Sequence, residues 1–328
     1  MKYAKDTRPK GVANKAAEVL VEALPWIKNI TGKTVVIKYG GSAMVDEQLR
    51  ADVMNDIVLL KIVGVNPVIV HGGGKAITEA MDFLQLPVEF KDGQRVTTPE
   101  AMDLVRTVLM GKVNQELVEA LNEHGNFAVG VSGADAGVIV AEQASPELGR
   151  VGRITRINSP LLDDLVAGDY IPVVASVALG EDGGFYNVNA DMVAGHIAAA
   201  IGAHKVVFLT DVDGLYENFE NKDSLISNLT LFEAQYMVEN NIVSTGMIPK
   251  LKSCIHALDS GVFRAHIING ITPHSLLLEL LTSTGVGTTM HSTEESCTFD
   301  THPLGNFASK LLENRQHAAS AMPNNKIF

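Results

Sequence analysis

The chain has 328 residues, 46% of them hydrophobic, and a formal net charge of −12. That length allows one large core or two lobes that share one. The acidic balance and the lack of clustered lysine and arginine argue against a nucleic-acid-binding surface, which needs such clusters. Cys254 and Cys297 stand in no metal-binding spacing, and no apolar run approaches the roughly 20 residues of a membrane span. We therefore expect a cytoplasmic protein with neither nucleic acid nor membrane as partner.

The first segment with a clear period is an apolar helical stripe near the N-terminus. The stripe comprises Val12, Ala16, Val19, Leu20, Ala23 and Leu24, and Pro25-Trp26-Ile27 interrupts it. Such a helix either packs on its own subunit or contacts a neighbouring copy, and both remain open here.

From Thr34 onward, predicted strands and helices alternate along the chain. This alternation is typical of an α/β fold with helices on both faces of a sheet. We therefore predict a three-layer sandwich with a mostly parallel central sheet, organised in two lobes.

The run Thr34–Ser42 predicts a buried strand that opens into an anion-binding turn. Its β-branched residues end in Lys38, Tyr39 and the pair Gly40-Gly41. Glycines let backbone N–H groups approach a ligand closely, and a helix beginning near Asp46 would direct its positive end to the same place. The alternative is a strand whose lysine is simply solvated.

A second turn of the same kind follows the next predicted strand, Asn66–His71. Gly72, Gly73 and Gly74 stand at its carboxyl end and precede a helix, which makes a second anion cradle. Neither turn fits the P-loop or the dinucleotide-binding pattern, so those two readings fail.

Further polar side chains follow predicted turns and strands. Arg95 leads out of a glycine turn, where a guanidinium suits a carboxylate. Asn187 and Asn189 alternate on one face of an extended segment, and Asp191 either caps the next helix or takes part in a site. Three more candidates stand at a strand end or a helix start, namely Thr210, Asp211 and Lys250.

Six motifs in this order resemble those of the acetylglutamate kinases, a branch of the amino-acid kinase family. The resemblance covers about residues 13–290. The motifs are Lys38-Tyr-Gly-Gly, Val70-His-Gly-Gly-Gly, Gly93-Gln-Arg-Val-Thr, Asn187-Val-Asn-Ala-Asp, Leu209-Thr-Asp-Val-Asp-Gly and Gly246-Met-Ile-Pro-Lys. Each is weak alone, and their shared order makes the resemblance strong.

The resemblance implies transfer of the ATP γ-phosphoryl group to the side-chain carboxylate of N-acetyl-L-glutamate, in arginine biosynthesis. A carboxylate nucleophile is already an anion, so it needs no general base. The chemistry then requires positioning and charge cancellation. By position, Lys38 and Lys250 would bind phosphate oxygens from opposite sides, and Asp191 would hold both ammonium groups.

The resemblance also assigns binding roles. Gly40, Gly41, Gly73 and Gly74 would donate N–H groups, the first two to the nucleotide side and the other two to the substrate side. Thr210 and Asp211 would lie near the nucleotide. Arg95, Asn187 and Asn189 would hold acetylglutamate. Mg²⁺ would bridge ATP oxygens with few protein ligands, so we expect no separate protein metal site. The division is then an extension (1–30), an amino-acid-substrate lobe (31–185), an ATP-binding lobe (186–290) and a flexible tail (291–328), with lobe closure expected during catalysis.

The N-terminal helix and the segments around His266, Glu279 and Gly285 resemble the arginine-inhibited members of the family. In those enzymes the helix interlaces dimers into a hexamer, and arginine binds beside it. The resemblance implies these three residues as effector contacts and a homo-oligomer, and it leaves a nitrogen-signalling protein partner open. The alternative is a core helix on which Glu279 lies on an exposed face.

Gln94 and His196 depart from the usual family residues, and the tail lies beyond the family's usual end. Two other functions stay open. One is a relative acting on glutamate, aspartate or carbamate, and the other is a non-catalytic arginine-sensing module on the same fold.

Overall fold

The computed structural model describes residues 10–44, 46–91, 93–283 and 285–292. The predicted loose N-terminus and nearly all of the predicted tail lie outside these residues. In the part described, no helix is long and apolar enough to cross a membrane.

The described chain forms three sheets from short strands, most of them rich in β-branched residues. The strands are β1 Thr34–Tyr39, β2 Asn66–His71, β3 Phe90–Lys91, β4 Gln94–Arg95, β5 Ala128–Ser132, β6 Ile139–Gln143, β7 Gly152–Ile157, β8 Ile171–Ala175, β9 Val177–Gly180, β10 Phe185–Asn187, β11 Lys205–Thr210, β12 Asn228–Thr230, β13 Arg264–Asn269 and β14 Thr288–His291.

Within the described residues, the main sheet has eight strands in the order β12-β14-β13-β11-β1-β2-β8-β5. All neighbours pair in parallel except β13 and β14, which are antiparallel. The central strand β1 pairs with β2 on one side and β11 on the other, so one sheet runs through both predicted lobes. Strands β10, β9, β6 and β7 form a second sheet, and β3 with β4 forms a small antiparallel hairpin.

Ten α-helices lie in the described part of the chain. They are α1 Lys10–Ile30, α2 Glu47–Ile62, α3 Gly74–Phe83, α4 Pro99–Val108, α5 Gln115–Asn122, α6 Pro160–Ala167, α7 Ala190–Ala200, α8 Leu231–Glu239, α9 Ile248–Asp259 and α10 Ser275–Leu281. A π turn, Leu109–Asn114, joins α4 to α5 without a break.

Side chains alternate between the two faces of the sheet along each strand, so the main sheet has an apolar core on each face. Val36 belongs to one core, together with residues of α6, α7, α8 and α9. Val35 and Ile37 belong to the other, together with residues of α2, α3, α4, α5 and α10. The predicted three-layer α/β sandwich with a mostly parallel sheet is confirmed.

Two details differ from the expectations from the sequence. Pro25 interrupts the apolar stripe but not helix α1, which runs from Lys10 to Ile30. His291, with which the predicted tail begins, is the last residue of β14 and is buried beside β12 and β13.

Candidate active site

Three charged side chains meet at the carboxyl end of β1. Lys38 lies on the same face of β1 as Val36, which is the face that α7 and α9 cover. Its Nζ lies 3.0 Å from Asp191 Oδ1, and the Nζ of Lys250 lies 3.2 Å from Oδ2 of the same carboxylate. The side chain of Lys38 is only 11% exposed, so the solvated-lysine alternative is wrong.

The electrostatics of this cluster favour a charged Asp191. Burial alone would raise the pKa of this carboxyl, but the ammonium groups of Lys38 and Lys250 outweigh it and hold the pKa below its ordinary value. Asp191 also lies in the first turn of α7, where the positive end of the helix dipole favours an anion. Two cations therefore share one buried anion, which leaves a net positive charge.

The start of α7 is capped by Asn189 rather than by Asp191. Asn189 Oδ1 accepts hydrogen bonds from the backbone nitrogens of Asp191, at 2.8 Å, and Met192, at 3.2 Å. The capping alternative for Asp191 is therefore wrong, and its carboxylate is left for the lysines.

The first predicted glycine turn lies beside this cluster. The second lies beside the start of α7, since a Cβ on Gly72 would lie 3.4 Å from the Cβ of Ala190. A Cβ on Gly40 would lie 2.9 Å from Lys38 Nζ, so the absence of a side chain lets the ammonium fold over the turn. Gly41 has a φ of +73°, which L side chains rarely adopt. Gly73 precedes α3, and a Cβ there would lie 2.7 Å from Leu109 Cδ2 of the π turn.

The predicted substrate residues line one cavity. Its volume is about 420 Å³, and its wall includes Gly73, Gly74, Arg95, Asn187 and Asn189. The structure thus brings together side chains from β4, β10 and the start of α7 around the second glycine turn. Gln94, one of the two departures, also lines this cavity.

Arg95 is largely buried and contacts the glycine turn directly. Its Nη2 donates to the Gly74 carbonyl at 2.9 Å and to Thr78 Oγ1 at 2.6 Å, and the guanidinium carbon lies 4.7 Å from the centre of the Phe90 ring. Sequence reasoning did not find Thr78 or Phe90, because neither stands in a recognisable motif. Asn187 donates from Nδ2 to Thr97 Oγ1 at 3.3 Å.

A larger cavity of about 990 Å³ shares Gly73, Gly74 and Lys75 with the first and extends to Gly41. Arg50 and Lys112 add positive charge to its wall, while Asp46, Glu79 and Glu116 add negative charge. The two glycine turns therefore face a common space, although neither of the two cavities described here includes Thr210 or Asp211.

Thr210 and Asp211 lie at the carboxyl end of β11, the strand next to β1. Thr210 Oγ1 donates to Asp211 Oδ1 at 3.1 Å. Asp213, two residues further, accepts from Asn269 Nδ2 at 2.8 Å and from the Tyr216 hydroxyl. The side chain of Asp213 therefore attaches the turn that follows β11 to the end of β13.

The three predicted effector residues lie together, His266 on β13, Glu279 on α10 and Gly285 in the loop before β14. Glu279 Oε1 accepts from His266 Nδ1 at 2.7 Å and from Thr289 at 2.8 Å. Its Oε2 accepts from the nitrogen of Val286 at 2.7 Å, and a Cβ on Gly285 would lie 2.9 Å from it. Glu279 is buried, so the alternative of an exposed face is wrong.

His196, the second departure, lies on α7 and stacks on His256 of α9 with ring centres 3.9 Å apart. Its Nδ1 lies 2.8 Å from the Met192 carbonyl. In the described part of the chain, no three His, Cys, Asp or Glu side chains come together as a metal site.

A model of the amino acid kinase family matches residues 33–269. The parallel sheet with its two glycine turns is the corresponding fold, and the chain belongs to this family. It is 51% identical over 274 residues to an acetylglutamate kinase of Caldanaerobacter subterraneus subsp. tengcongensis, covering 83% of this chain and 92% of that relative. An acetylglutamate kinase of Halothermothrix orenii is 48% identical over 277 residues, covering 83% and 96%. Within the family, the chain is therefore one of the acetylglutamate kinases.

A solved structure has the same fold at much lower sequence identity. The N-acetylglutamate synthase from Neisseria gonorrhoeae, complexed with coenzyme A and N-acetyl-glutamate, superposes with a TM-score of 0.75 at 21% identity, covering 94% of this chain and 72% of that one. At this identity the likeness concerns the fold alone.

Proposed function

We propose that this chain transfers the γ-phosphoryl group of ATP to the side-chain carboxylate of N-acetyl-L-glutamate, and that Lys38, Asp191 and Lys250 form the centre of the reaction. The observation that carries the proposal is the shared buried carboxylate with one lysine on each oxygen. This arrangement presents two ammonium groups beside the glycine turns. It suits the charge that spreads over the transferring group.

The reaction forms a bond between a carboxylate oxygen and the γ-phosphorus while the bond from that phosphorus to the bridging oxygen of ADP breaks. The products are an acyl phosphate and ADP. Lys38 and Lys250 would neutralise the phosphoryl oxygens, and the N–H groups of Gly40, Gly41, Gly73 and Gly74 would donate to them and to the substrates. No proton needs to leave the nucleophile.

Acetylglutamate would occupy the cavity of about 420 Å³. Arg95 and Lys75 supply positive charge there, although Nη2 of Arg95 already donates to the Gly74 carbonyl. Because Asn189 uses its oxygen to cap α7, its amide nitrogen is the group that would donate to the substrate. Asn187 would contact the substrate from the end of β10. Thr210 and Asp211 would contact the nucleotide.

Mg²⁺ would be held mainly by the oxygens of ATP. The carboxylate of Asp191 is engaged with two lysines, and that of Asp213 with Asn269 and Tyr216. These residues fit an ion carried by the nucleotide, since Mg²⁺ commonly keeps phosphate and water ligands. When bound, the ion would withdraw charge from the phosphates.

The experiment is an ADP-release assay with Mg-ATP and, in parallel, N-acetyl-L-glutamate, glutamate, aspartate or carbamate. Trapping the acyl phosphate with hydroxylamine separates transfer from simple ATP hydrolysis. We expect turnover and hydroxamate with acetylglutamate alone. Turnover confined to another acid would overturn the substrate assignment, and no turnover with any acid would favour the non-catalytic alternative.

We further propose that arginine inhibits the enzyme by binding beside His266, Glu279 and Gly285. The support is that three chain segments converge there, and that α10, which carries Glu279, contacts α1. Because Glu279 already accepts several hydrogen bonds, arginine would have to replace at least one of them. Millimolar arginine should slow turnover and raise the melting temperature, and an absence of both effects would contradict the proposal.

We also propose that α1 contacts a second copy of the chain. Val19, Leu20, Val21 and Leu24 are each more than half exposed, whereas Trp26 and Ile27 pack on the protein's own core. Light scattering should give an oligomer for the full chain and a smaller species for Leu20→Glu. An unchanged mass for this variant would remove α1 from the interface.

A further inference from the structure

His71 is the last residue of β2 and stands immediately before the three glycines. It is completely buried and has no role in the proposed binding scheme. Both of its ring nitrogens have a partner. Nδ1 lies 2.9 Å from the carbonyl oxygen of Gly72, and Nε2 lies 3.0 Å from Nδ2 of Asn114, the last residue of the π turn.

The partners of Asn114 determine which ring nitrogen carries the proton. The same Nδ2 lies 2.8 Å from the carbonyl oxygen of Val173, and a carbonyl can only accept. That atom of Asn114 is therefore the NH₂ group, and it donates to Nε2 of His71 as well. Nδ1 then carries the ring proton and donates to Gly72. Burial lowers the pKa of His71 to about 4, which keeps the ring neutral and in this tautomer near neutral pH.

Peptide geometry carries the effect one residue further. In a planar trans peptide, the carbonyl of one residue and the N–H of the next point in opposite directions. Since the Gly72 carbonyl faces the imidazole, the N–H of Gly73 points away from it. Gly73 lines both cavities of the candidate site.

The π turn contacts the same loop from a second direction. A Cβ on Gly73 would lie 2.7 Å from Leu109 and 3.1 Å from Val113, so both side chains pack closely on the glycine backbone. Asn114 packs against β5, since a Cβ on Gly130 would lie 3.2 Å from its Cγ. One π turn therefore supplies both the packing on Gly73 and the hydrogen bond to His71. Single π turns occur often at functional sites.

We propose that His71 and Asn114 are positioning residues for phosphoryl transfer, which direct the Gly73 N–H at an anionic oxygen of the reacting groups through the Gly72 carbonyl. This inference rests on the proposed function, in which the second glycine turn donates to the substrates. It adds a buried pair of hydrogen-bonded side chains that neither touches the substrate nor carries a charge.

The test uses two substitutions that each retain one of the two ring contacts. An asparagine amide nitrogen lies close to the position of the imidazole Nδ1, so His71→Asn keeps a donor for Gly72. A glutamine reaches the position of Nε2, so His71→Gln keeps a group for Asn114 and leaves the Gly72 carbonyl without its donor. Both variants remove the ring, and glutamine retains one methylene group more than asparagine, so packing alone would favour the glutamine variant.

We expect His71→Gln to lower kcat at least tenfold relative to His71→Asn, with melting temperatures that agree within a few degrees and an unchanged KM for ATP. Equal kcat values for the two variants would overturn the inference, because a purely structural role would affect both alike. If the wild-type protein itself shows no turnover, the proposed function fails instead.

A measurement on the wild-type protein decides the matter if neither variant folds. Nitrogen NMR of ring-labelled histidine should show His71 neutral and protonated at Nδ1. Protonation at Nε2 would break the hydrogen bond to Gly72 and overturn the inference.

Discussion

Ser253 on α9 donates a hydrogen bond from its hydroxyl to the main-chain carbonyl of Asp191 on α7. Lys250, one turn earlier on α9, binds the carboxylate of the same residue. Helix α9 therefore holds Asp191 at two points. The two helices approach closely because Gly195 faces Ser253, and a Cβ at position 195 would lie 2.7 Å from the Ser253 carbonyl oxygen.

Gly195→Ala tests this close approach. The added methyl group must push α7 from α9, which should destabilise the protein by about 1–3 kcal/mol and lower kcat by weakening the contact between Lys250 and Asp191. Urea unfolding and steady-state kinetics measure both effects. Gly111→Ala is the control, since a Cβ there meets nothing within 4 Å. Equal stability and equal kcat of the two variants would show that the added methyl group fits between α7 and α9 without moving them.

Removing one cation from the shared carboxylate should abolish most of the activity. For Lys250→Met we expect kcat to fall at least 100-fold, which is the order of effect seen when one transition-state stabilising group is lost. Lys252→Met provides the control on the same helix, because Lys252 is exposed. A Lys250→Met enzyme with kcat within a few fold of wild type would remove Lys250 from the reaction.

The geometry around Arg95 predicts a specific failure of lysine at this position. Arg95→Lys keeps the charge but loses the planar group that reaches Gly74 and Thr78 and stacks on Phe90. The KM for acetylglutamate should rise about tenfold or more, corresponding to at least 1.4 kcal/mol, while the KM for ATP changes much less. Arg106→Lys is a suitable control, since Arg106 also stacks on an aromatic ring. Equal changes in both KM values would argue against a substrate role.

Burial of neutral His71 makes folding stability depend on pH. Its pKa falls from 6.5 to about 4 on folding, so between these values the unfolded chain binds a proton that the folded protein does not. The free energy of unfolding should therefore decrease as the pH falls from about 6.5 towards 4, by roughly 3 kcal/mol from this group.

The comparison of wild type with His71→Asn isolates that contribution. Urea unfolding at several pH values between 7 and 4.5 gives the free energy of unfolding as a function of pH. This dependence should be less steep for the variant than for the wild type, because the asparagine amide does not titrate. Parallel slopes would mean that the histidine takes up its proton in the folded state.

The sequence predicted the sheet and its glycine turns because both depend on local signals. A β-branched run that ends in Lys38, Gly40 and Gly41 specifies a strand and a tight turn without knowledge of its neighbours. The family and the kinase function followed from six such motifs in order, and the comparisons confirmed both. The individual roles of the site residues stay predictions.

What the sequence missed depends on contacts between distant segments. Asn189 and Asp191 are equally good caps by residue type, and only the position of the two lysines leaves Asp191 for the site. The sequence could not decide whether Glu279 is exposed, because the seven residues of this short helix do not show which of its faces packs against the sheet. Asn114 carries no signal, since a π turn differs from an α-helix by one residue and has no sequence mark.

The continuous sheet has a consequence for how nucleotide enters. Since β1 is hydrogen-bonded to β2 and to β11 over most of its length, the two predicted lobes have no hinge between them within the main sheet. Lys38 is fixed in that sheet, whereas Lys250 belongs to a helix that rests on it through side chains. Any widening of the site that admits ATP would therefore come from movement of α9 rather than from movement of β1.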